Sequence, residues 1–209
     1  MSMLIRIFFL IFFSNLLFAE DFINWHNSFG DRNYKYSSLS QINLSNINNL
    51  NKQWVFNTGN FETSQLTPIY AENNLITVNR EGYLISLDPE TGEEKWRSVH
   101  LKREVGRRGI LYHKSNLFVP TFEGIVVINI NNGLINENLG NEGYFKSNIC
   151  DYCDVSYLAP LIDGNRLFVA NTTNITVFNL DTGEVNFNFD LKSKNLITRI
   201  WSGFSFDSE

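Results

Sequence analysis

Apolar and polar residues alternate along this chain in short runs, and each run stops at a turn signal. The stretch from Asn74 to Trp96 sets the pattern. Leu75–Val78 is rich in β-branched residues and predicts a first strand. Arg80-Glu81-Gly82 is a turn, in which Gly82 supplies any positive φ that a tight hairpin needs. Tyr83–Leu87 alternates aromatic or apolar with polar residues and predicts a second strand. Asp88-Pro89-Glu90-Thr91-Gly92 is the next turn: Pro89 fixes φ, Asp88 can bond the backbone beyond it, and Gly92 permits a left-handed residue. Glu93–Val99 predicts a third strand, with Trp96 as its large apolar anchor.

The same pattern returns twice. Asn116–Val119 leads through Glu123-Gly124 to Ile125–Ile130 and then Asn132-Gly133. Arg166–Val169 leads to Ile175–Leu180 and then Asp181-Thr182-Gly183-Glu184. The distances from strand leucine to turn glycine are nearly equal (Leu75 to Gly92, Leu117 to Gly133, Leu167 to Gly183). Recurrence of a multi-stranded unit at roughly 40–50 residues is the mark of propeller blades. One such sheet cannot bury both of its faces alone, so the repeat predicts an all-β stack of about three blades at residues 20–209. That is too few to close a ring of about 4–8 blades. The chain therefore reads as a partial propeller, with an independent small protein as the other reading.

Before the repeats, Met1–Ala19 reads as a targeting segment. Arg6 is its charged start, Ile7–Phe13 its apolar run, and Ala19 a small residue before Glu20-Asp21. A cleaved signal peptide over residues 1–19, with export to the periplasm, is the expectation. An uncleaved membrane anchor is the alternative, because Leu16-Leu17-Phe18 extends the apolar stretch. Trp25, Phe29, Tyr34 and Tyr36 then anchor an irregular segment; Ser45–Leu50 predicts one helical turn capped by Ser45, and Trp54-Val55-Phe56 predicts a strand.

Composition changes this picture little. The 209 residues are 43% hydrophobic and 19% charged, with a net charge of −5. That permits a substantial core. With no basic block and no zinc-finger spacing, nucleic-acid binding is set aside.

Several strings then resemble a known family. Trp25, Phe29-Gly30-Asp31, Tyr36-Ser37, Gln41-Ile42-Asn43, Trp54 and Thr58-Gly59 are similar, in order, to the mature N-terminus of the quinoprotein alcohol and sugar dehydrogenases. Those enzymes are eight-bladed propellers dependent on pyrroloquinoline quinone (PQQ). Thr67-Pro68-Ile69, Arg107-Arg108-Gly109-Ile110-Leu111-Tyr112, Ala159-Pro160-Leu161 and Trp201-Ser202-Gly203 continue the likeness.

The resemblance implies oxidation of an alcohol or sugar by hydride transfer to PQQ, with Ca²⁺ as second cofactor and a quinone or cytochrome c as electron acceptor. It implies the remainder of a propeller as partner, and catalytic residues beyond Glu209. It implies that Arg108 reaches PQQ carboxylates, which suits a planar guanidinium, and that Trp201 is the floor under the flat ring. Without it, Arg108 reads as one of a run of surface cations and Trp201 as a blade core residue.

The sequence also departs from the family. Lys102 and Arg103 stand where many members have adjacent cysteines, Tyr157 and Arg199 replace threonines, and Asn171-Thr172-Thr173-Asn174 replaces a loop with a calcium-binding glutamate. No metal ligand is therefore assigned. These departures motivate a second reading, a non-enzymatic propeller scaffold or an inactive relic.

Cys150 and Cys153 are the chain's two cysteines, and in an exported protein they are expected to form a local disulfide. His113, at a strand end, is expected to be structural. The acidic residues of Asp88–Glu94 are expected to serve the turn rather than catalysis.

Overall fold

The computed structural model describes residues 25, 39–59, 66–79, 81–101, 105, 109–121, 124–146, 158–171, 173–194 and 200. These hold three four-stranded antiparallel sheets, each strand hydrogen-bonded to the next in sequence. Blade 1 contains β1 (Ile69–Ala71), β2 (Asn74–Val78), β3 (Leu84–Leu87) and β4 (Glu94–Arg97). Blade 2 contains β5 (Leu111–His113), β6 (Asn116–Thr121), β7 (Gly124–Asn129) and β8 (Tyr144–Phe145). Blade 3 contains β9 (Leu161–Asp163), β10 (Arg166–Ala170), β11 (Asn174–Asn179) and β12 (Val185–Asp190).

The all-β repeat expected from the sequence is therefore what the chain builds, with a further strand at the start of each unit and, in the second and third units, a fourth strand at its end. The first strand of each sheet is three residues long in all three.

The blades pack face to face in sequence order, and the strand period of two decides which residue faces which neighbour. In blade 2, Leu117, Val119, Val126 and Ile128 enter a core shared with Ile69, Ile76, Val78 and Leu84 of blade 1. The intervening Phe118, Ile125 and Val127 enter a second core with Phe145 and with Leu167, Phe178 and Leu180 of blade 3. Because blade 2 is covered on both faces, β6 is buried throughout its length. Phe145 meets Phe178 edge-on at 5.6 Å, a favoured aromatic geometry that ties blades 2 and 3. Each fully buried Ile, Leu or Phe in these cores contributes about 1.5–3 kcal/mol of apolar transfer free energy.

Pro120 lies inside β6, opposite Ile125. Its missing N–H is tolerated because β5 pairs with β6 only from Phe118 to Asn116, so Pro120 has no β5 neighbour to serve.

Two local expectations are corrected. Trp54–Phe56 is not a strand: no described strand pairs with it, and Trp54 acts instead as a docked side chain. The helical turn near Ser45 is a 3₁₀ turn, Ile47–Asn49, that starts from Asn46 without a side-chain cap. Ser45 Oγ is turned back to Asn43 Oδ1 at 2.5 Å, which takes it away from the helical N–H groups it was expected to cap.

Candidate functional site

Three turns of one design organise the blade edges. Each follows the third strand of its sheet and has the form Asx-x-x-x-Gly. In blade 1, Asp88 Oδ1 accepts the N–H groups of Glu90 and Thr91, both at 2.9 Å, and Gly92 N–H returns to Asp88 O at 2.8 Å. In blade 3, Asn179 Oδ1 accepts from Asp181 and Thr182, both at 3.0 Å, and Gly183 N–H returns to Asn179 O. In blade 2, Asn129 Oδ1 accepts from Asn131 and Gly133 N–H returns to Asn129 O. The Asp88 carboxyl is held below the usual carboxylate range, first by the Thr91 backbone N–H. The acidic residue here builds the turn, as expected from the sequence.

The glycine of each turn is a seat for the preceding unit. Gly92 has φ +75° and Gly133 has φ +72°, both left-handed. A Cβ on Gly92 would lie 2.5 Å from Cδ2 of Trp54, and one on Gly133 would lie 2.5 Å from Cε3 of Trp96. Each indole then donates to the turn it covers: Trp54 Nε1 to Pro89 O at 3.0 Å and Trp96 Nε1 to Ile130 O at 2.7 Å. Absence of a side chain lets an aromatic face lie on the turn backbone, and the indole N–H satisfies a carbonyl. At the third turn the seat is taken by backbone, since a Cβ on Gly183 would meet Asn141 N and Gly140 Cα at 2.7 and 2.9 Å. Gly140 N–H donates across that junction to Asp181 O at 3.1 Å.

A polar link joins blades 1 and 2 at the turns between their first two strands. Tyr112 Oη and Ser115 Oγ both donate to Glu72 Oε1 at 2.6 Å. These bonds, that of Ser115 foremost, hold the Glu72 carboxyl below its ordinary range. Burial, then the Glu72 hydrogen bond, push the Tyr112 phenol up. Reading the sequence missed this cluster. Its only signal is a carboxylate and a hydroxyl in the corresponding turns of successive repeats.

The residues expected to carry chemistry, Arg108 and Trp201, lie outside the described residues, as do Cys150 and Cys153. The described chain resumes at Gly109, and the segment after Arg108 runs into the core: Ile110 is fully buried and Leu111 opens β5. Ile200, next to Trp201, is half-buried. In the loop after β10, Asn171 Oδ1 accepts the backbone N–H groups of Thr173 and Asn174 at 3.1 and 2.7 Å. Its amide oxygen is thus committed to the turn. Among the described residues no three His, Cys, Asp or Glu side chains gather in a way that could hold a metal ion. His113 closes β5 opposite Asn116 and is half-buried. Among the described residues no helix is long and apolar enough to cross a membrane; Met1–Ala19 lies outside them.

Comparison with known proteins agrees with this architecture. Residues 25–148 match the family model described as "PQQ: Glucose/ethanol/alcohol dehydrogenase, beta-propeller domain". The chain is 28% identical to the quinoprotein glucose dehydrogenase of Escherichia coli K12, over 83% of its own length and 28% of that protein's. It is 25% identical to quinoprotein glucose dehydrogenase A of Acinetobacter calcoaceticus, over 78% of its length and 26% of that protein's. Among solved structures, the quinohemoprotein alcohol dehydrogenase of Comamonas testosteroni superposes with a TM-score of 0.65 at 17% identity, covering 80% of this chain and 27% of that one. A europium-containing methanol dehydrogenase superposes with a TM-score of 0.62 at 19% identity, covering 80% and 32% of the respective chains. The structural likeness carries the fold, and the chain spans under a third of the length of each of these relatives. With its repeats, its turn-seated tryptophans and its matched residues 25–148, the chain belongs to the β-propeller family of PQQ-type glucose, ethanol and alcohol dehydrogenases.

Proposed function

We propose that these blades form the N-terminal part of an exported, periplasmic dehydrogenase that oxidises an alcohol or a sugar with PQQ. The observation that carries this reading is the family match over residues 25–148, which takes in Arg108. The donor chemistry fits the cofactor. Arg108 presents a planar cation to a tricarboxylate, and Trp201 presents a π-face to a planar ring. Bound PQQ supplies a quinone able to accept hydride. What this chain's residues do is hold that group. Arg108 fixes its carboxylates, two and three residues before the buried Ile110 and Leu111. The base, the Ca²⁺ ligands and the contact with a quinone or cytochrome acceptor are assigned to blades beyond these residues. Cleavage after Ala19 and a Cys150–Cys153 disulfide belong to the same proposal of an exported chain.

The test is PQQ titration of the purified chain, with and without Ca²⁺, followed by tryptophan fluorescence. Saturable quenching that is lost in Arg108→Ala and Trp201→Ala is expected. Absence of saturable quenching in folded protein would refute cofactor binding. It would then favour the scaffold or relic, which the replacement of the calcium-binding loop by Asn171–Asn174 already motivates.

A further inference from the structure

We infer that Asn132 is a deamidation site gated by Trp96. Its side-chain amide survives while the indole covers Gly133, and once the amide has been lost through an isoaspartate the ring no longer has its seat. The inference concerns the joint between blades 1 and 2 and does not rest on PQQ binding.

Asn132-Gly133 is the chain's one Asn-Gly pair. The backbone nitrogen that follows an asparagine can attack the carbonyl carbon of its side chain, and glycine, lacking a Cβ, hinders that approach least. Here the pair falls in the turn of blade 2. At the same place the turns of blades 1 and 3 have Thr91 before Gly92 and Thr182 before Gly183, which carry no amide. Of the three described turns, that of blade 2 alone holds this chemistry.

The two reacting groups are held differently. Asn132 is exposed, whereas Gly133 is buried. Gly133 N–H donates to Asn129 O at 2.9 Å, and Asn132 Oδ1 accepts Leu134 N–H at 3.0 Å. Trp96 lies over the glycine, with Cε3 2.5 Å from where a Cβ would stand, and is pinned by its own bond from Nε1 to Ile130 O at 2.7 Å. Cyclisation must free the glycine nitrogen and turn the amide toward it, so both turn bonds break. The backbone that has to move is the one the indole covers. The turn therefore reacts only after the ring lifts, and its rate reports that local opening.

The step balances with water alone. Gly133 N gives its proton to solvent base and bonds to Asn132 Cγ. The Cγ–Nδ2 bond breaks, and Nδ2 takes a proton from water and leaves as ammonia. Water then opens the cyclic imide. Attack at Cγ gives aspartate, and attack at the main-chain carbonyl carbon gives isoaspartate, whose backbone runs through Cβ and Cγ and is longer by one methylene. That methylene enters between Asn129 O and Gly133 N–H, the pair that closes the turn. It displaces the glycine on which Trp96 rests. Aspartate leaves the backbone length unchanged and keeps an oxygen for Leu134 N–H. Opening of the joint is thus recorded irreversibly in the covalent structure.

The test incubates the full chain at alkaline pH, maps the peptide around residue 132 by mass spectrometry, and scores isoaspartate by enzymatic methylation. In the folded protein, amide loss is expected to be at least about tenfold slower than in the urea-unfolded chain. Trp96→Leu, shown to be folded by circular dichroism, should lose the amide faster than Phe178→Leu, which loosens the core between blades 2 and 3 away from the seat. Trp96→Phe, which keeps a ring without the Nε1–H, gives the same comparison if the leucine variant does not fold. Isoaspartate-bearing chain, purified and refolded, should unfold at lower urea than Asn132→Asp. Amide loss as fast in folded as in unfolded protein, no acceleration by the Trp96 variants beyond that of Phe178→Leu, or equal stability of the isoaspartate and Asn132→Asp proteins overturns the inference.

Discussion

The seat beneath Trp96 permits a sharp test, because Gly133 is required there for two separable reasons. It has a left-handed backbone at φ +72°, and its missing Cβ leaves room for the indole. In Gly133→Ala the backbone cost is about 1–2 kcal/mol, that of a left-handed L-residue. The new Cβ would stand 2.5 Å from Cε3 and 3.0 Å from Cδ2 of Trp96, so the ring must move. Such crowding costs about 1–3 kcal/mol. Loss of unfolded-state freedom returns about 0.4–1 kcal/mol. The net is about 1–4.6 kcal/mol. Gly164 is the control: its φ is +55°, and a Cβ there meets nothing within 4 Å. Gly164→Ala keeps the backbone cost and lacks the crowding, for a net of about 0–1.5 kcal/mol. Urea unfolding at constant m-value, or a melting curve in which each kcal/mol moves Tm by about 2–4 °C, separates the two. Adding Trp96→Leu should reduce the cost of Gly133→Ala, since the clash is with the indole. Equal destabilisation by both glycine substitutions, or no coupling to Trp96, would refute the seat as the reason for the glycine.

Ser86→Ala should destabilise by about 1–3 kcal/mol in denaturant unfolding, because Ser86 Oγ donates to Asn74 Oδ1 at 2.8 Å between two buried residues and its loss leaves the amide oxygen without that donor. Glu72 should contribute an acid limb to the stability profile. Its folded pKa is lowered, so its contribution is full above the ordinary glutamate range near about 4.5 and is lost as pH falls through the folded value. Glu72→Gln should flatten that limb in pH-dependent melting, by under about 1 kcal/mol because the carboxylate is largely exposed.

Legibility in the sequence followed the length and composition of each element. The second and third strands of each blade were readable because they run four to six residues and end at turns rich in glycine, asparagine or threonine. The first strands were not, since three residues are too few for alternation to register. They were marked in another way. The strings Thr67-Pro68-Ile69, Arg108-Gly109-Ile110-Leu111 and Ala159-Pro160-Leu161, which carry the family resemblance, each run into the start of a first strand. Trp54–Phe56 misled because an aromatic–apolar–aromatic triplet is written alike whether it joins a ladder or supplies one docked ring. The fourth strand of blade 2 was hidden by its shape. After a single bridge from Ile135 to Ile128, the chain loops out and returns only as Tyr144–Phe145. As for the site, a lone arginine in a cationic run and a lone tryptophan have no periodicity. Only resemblance singled out Arg108 and Trp201.

That detour in blade 2 explains why its junction with blade 3 uses no tryptophan. Where β4 carries Trp96 four residues after its glycine, the corresponding position in blade 2 is Glu137, in the segment that leaves the sheet. The loop then brings Gly140 and Asn141 over Gly183, and one backbone hydrogen bond to Asp181 O stands in for the indole N–H. Geometry at the receiving turn is unchanged, as the Asn179 bonds show. The turn is therefore the constant part of the joint, and the covering group is free to vary among ring and backbone. A constant socket with a variable plug gives the stack a direction. Each unit covers the turn of the next: Trp54 covers Gly92, Trp96 covers Gly133, and Gly140-Asn141 covers Gly183.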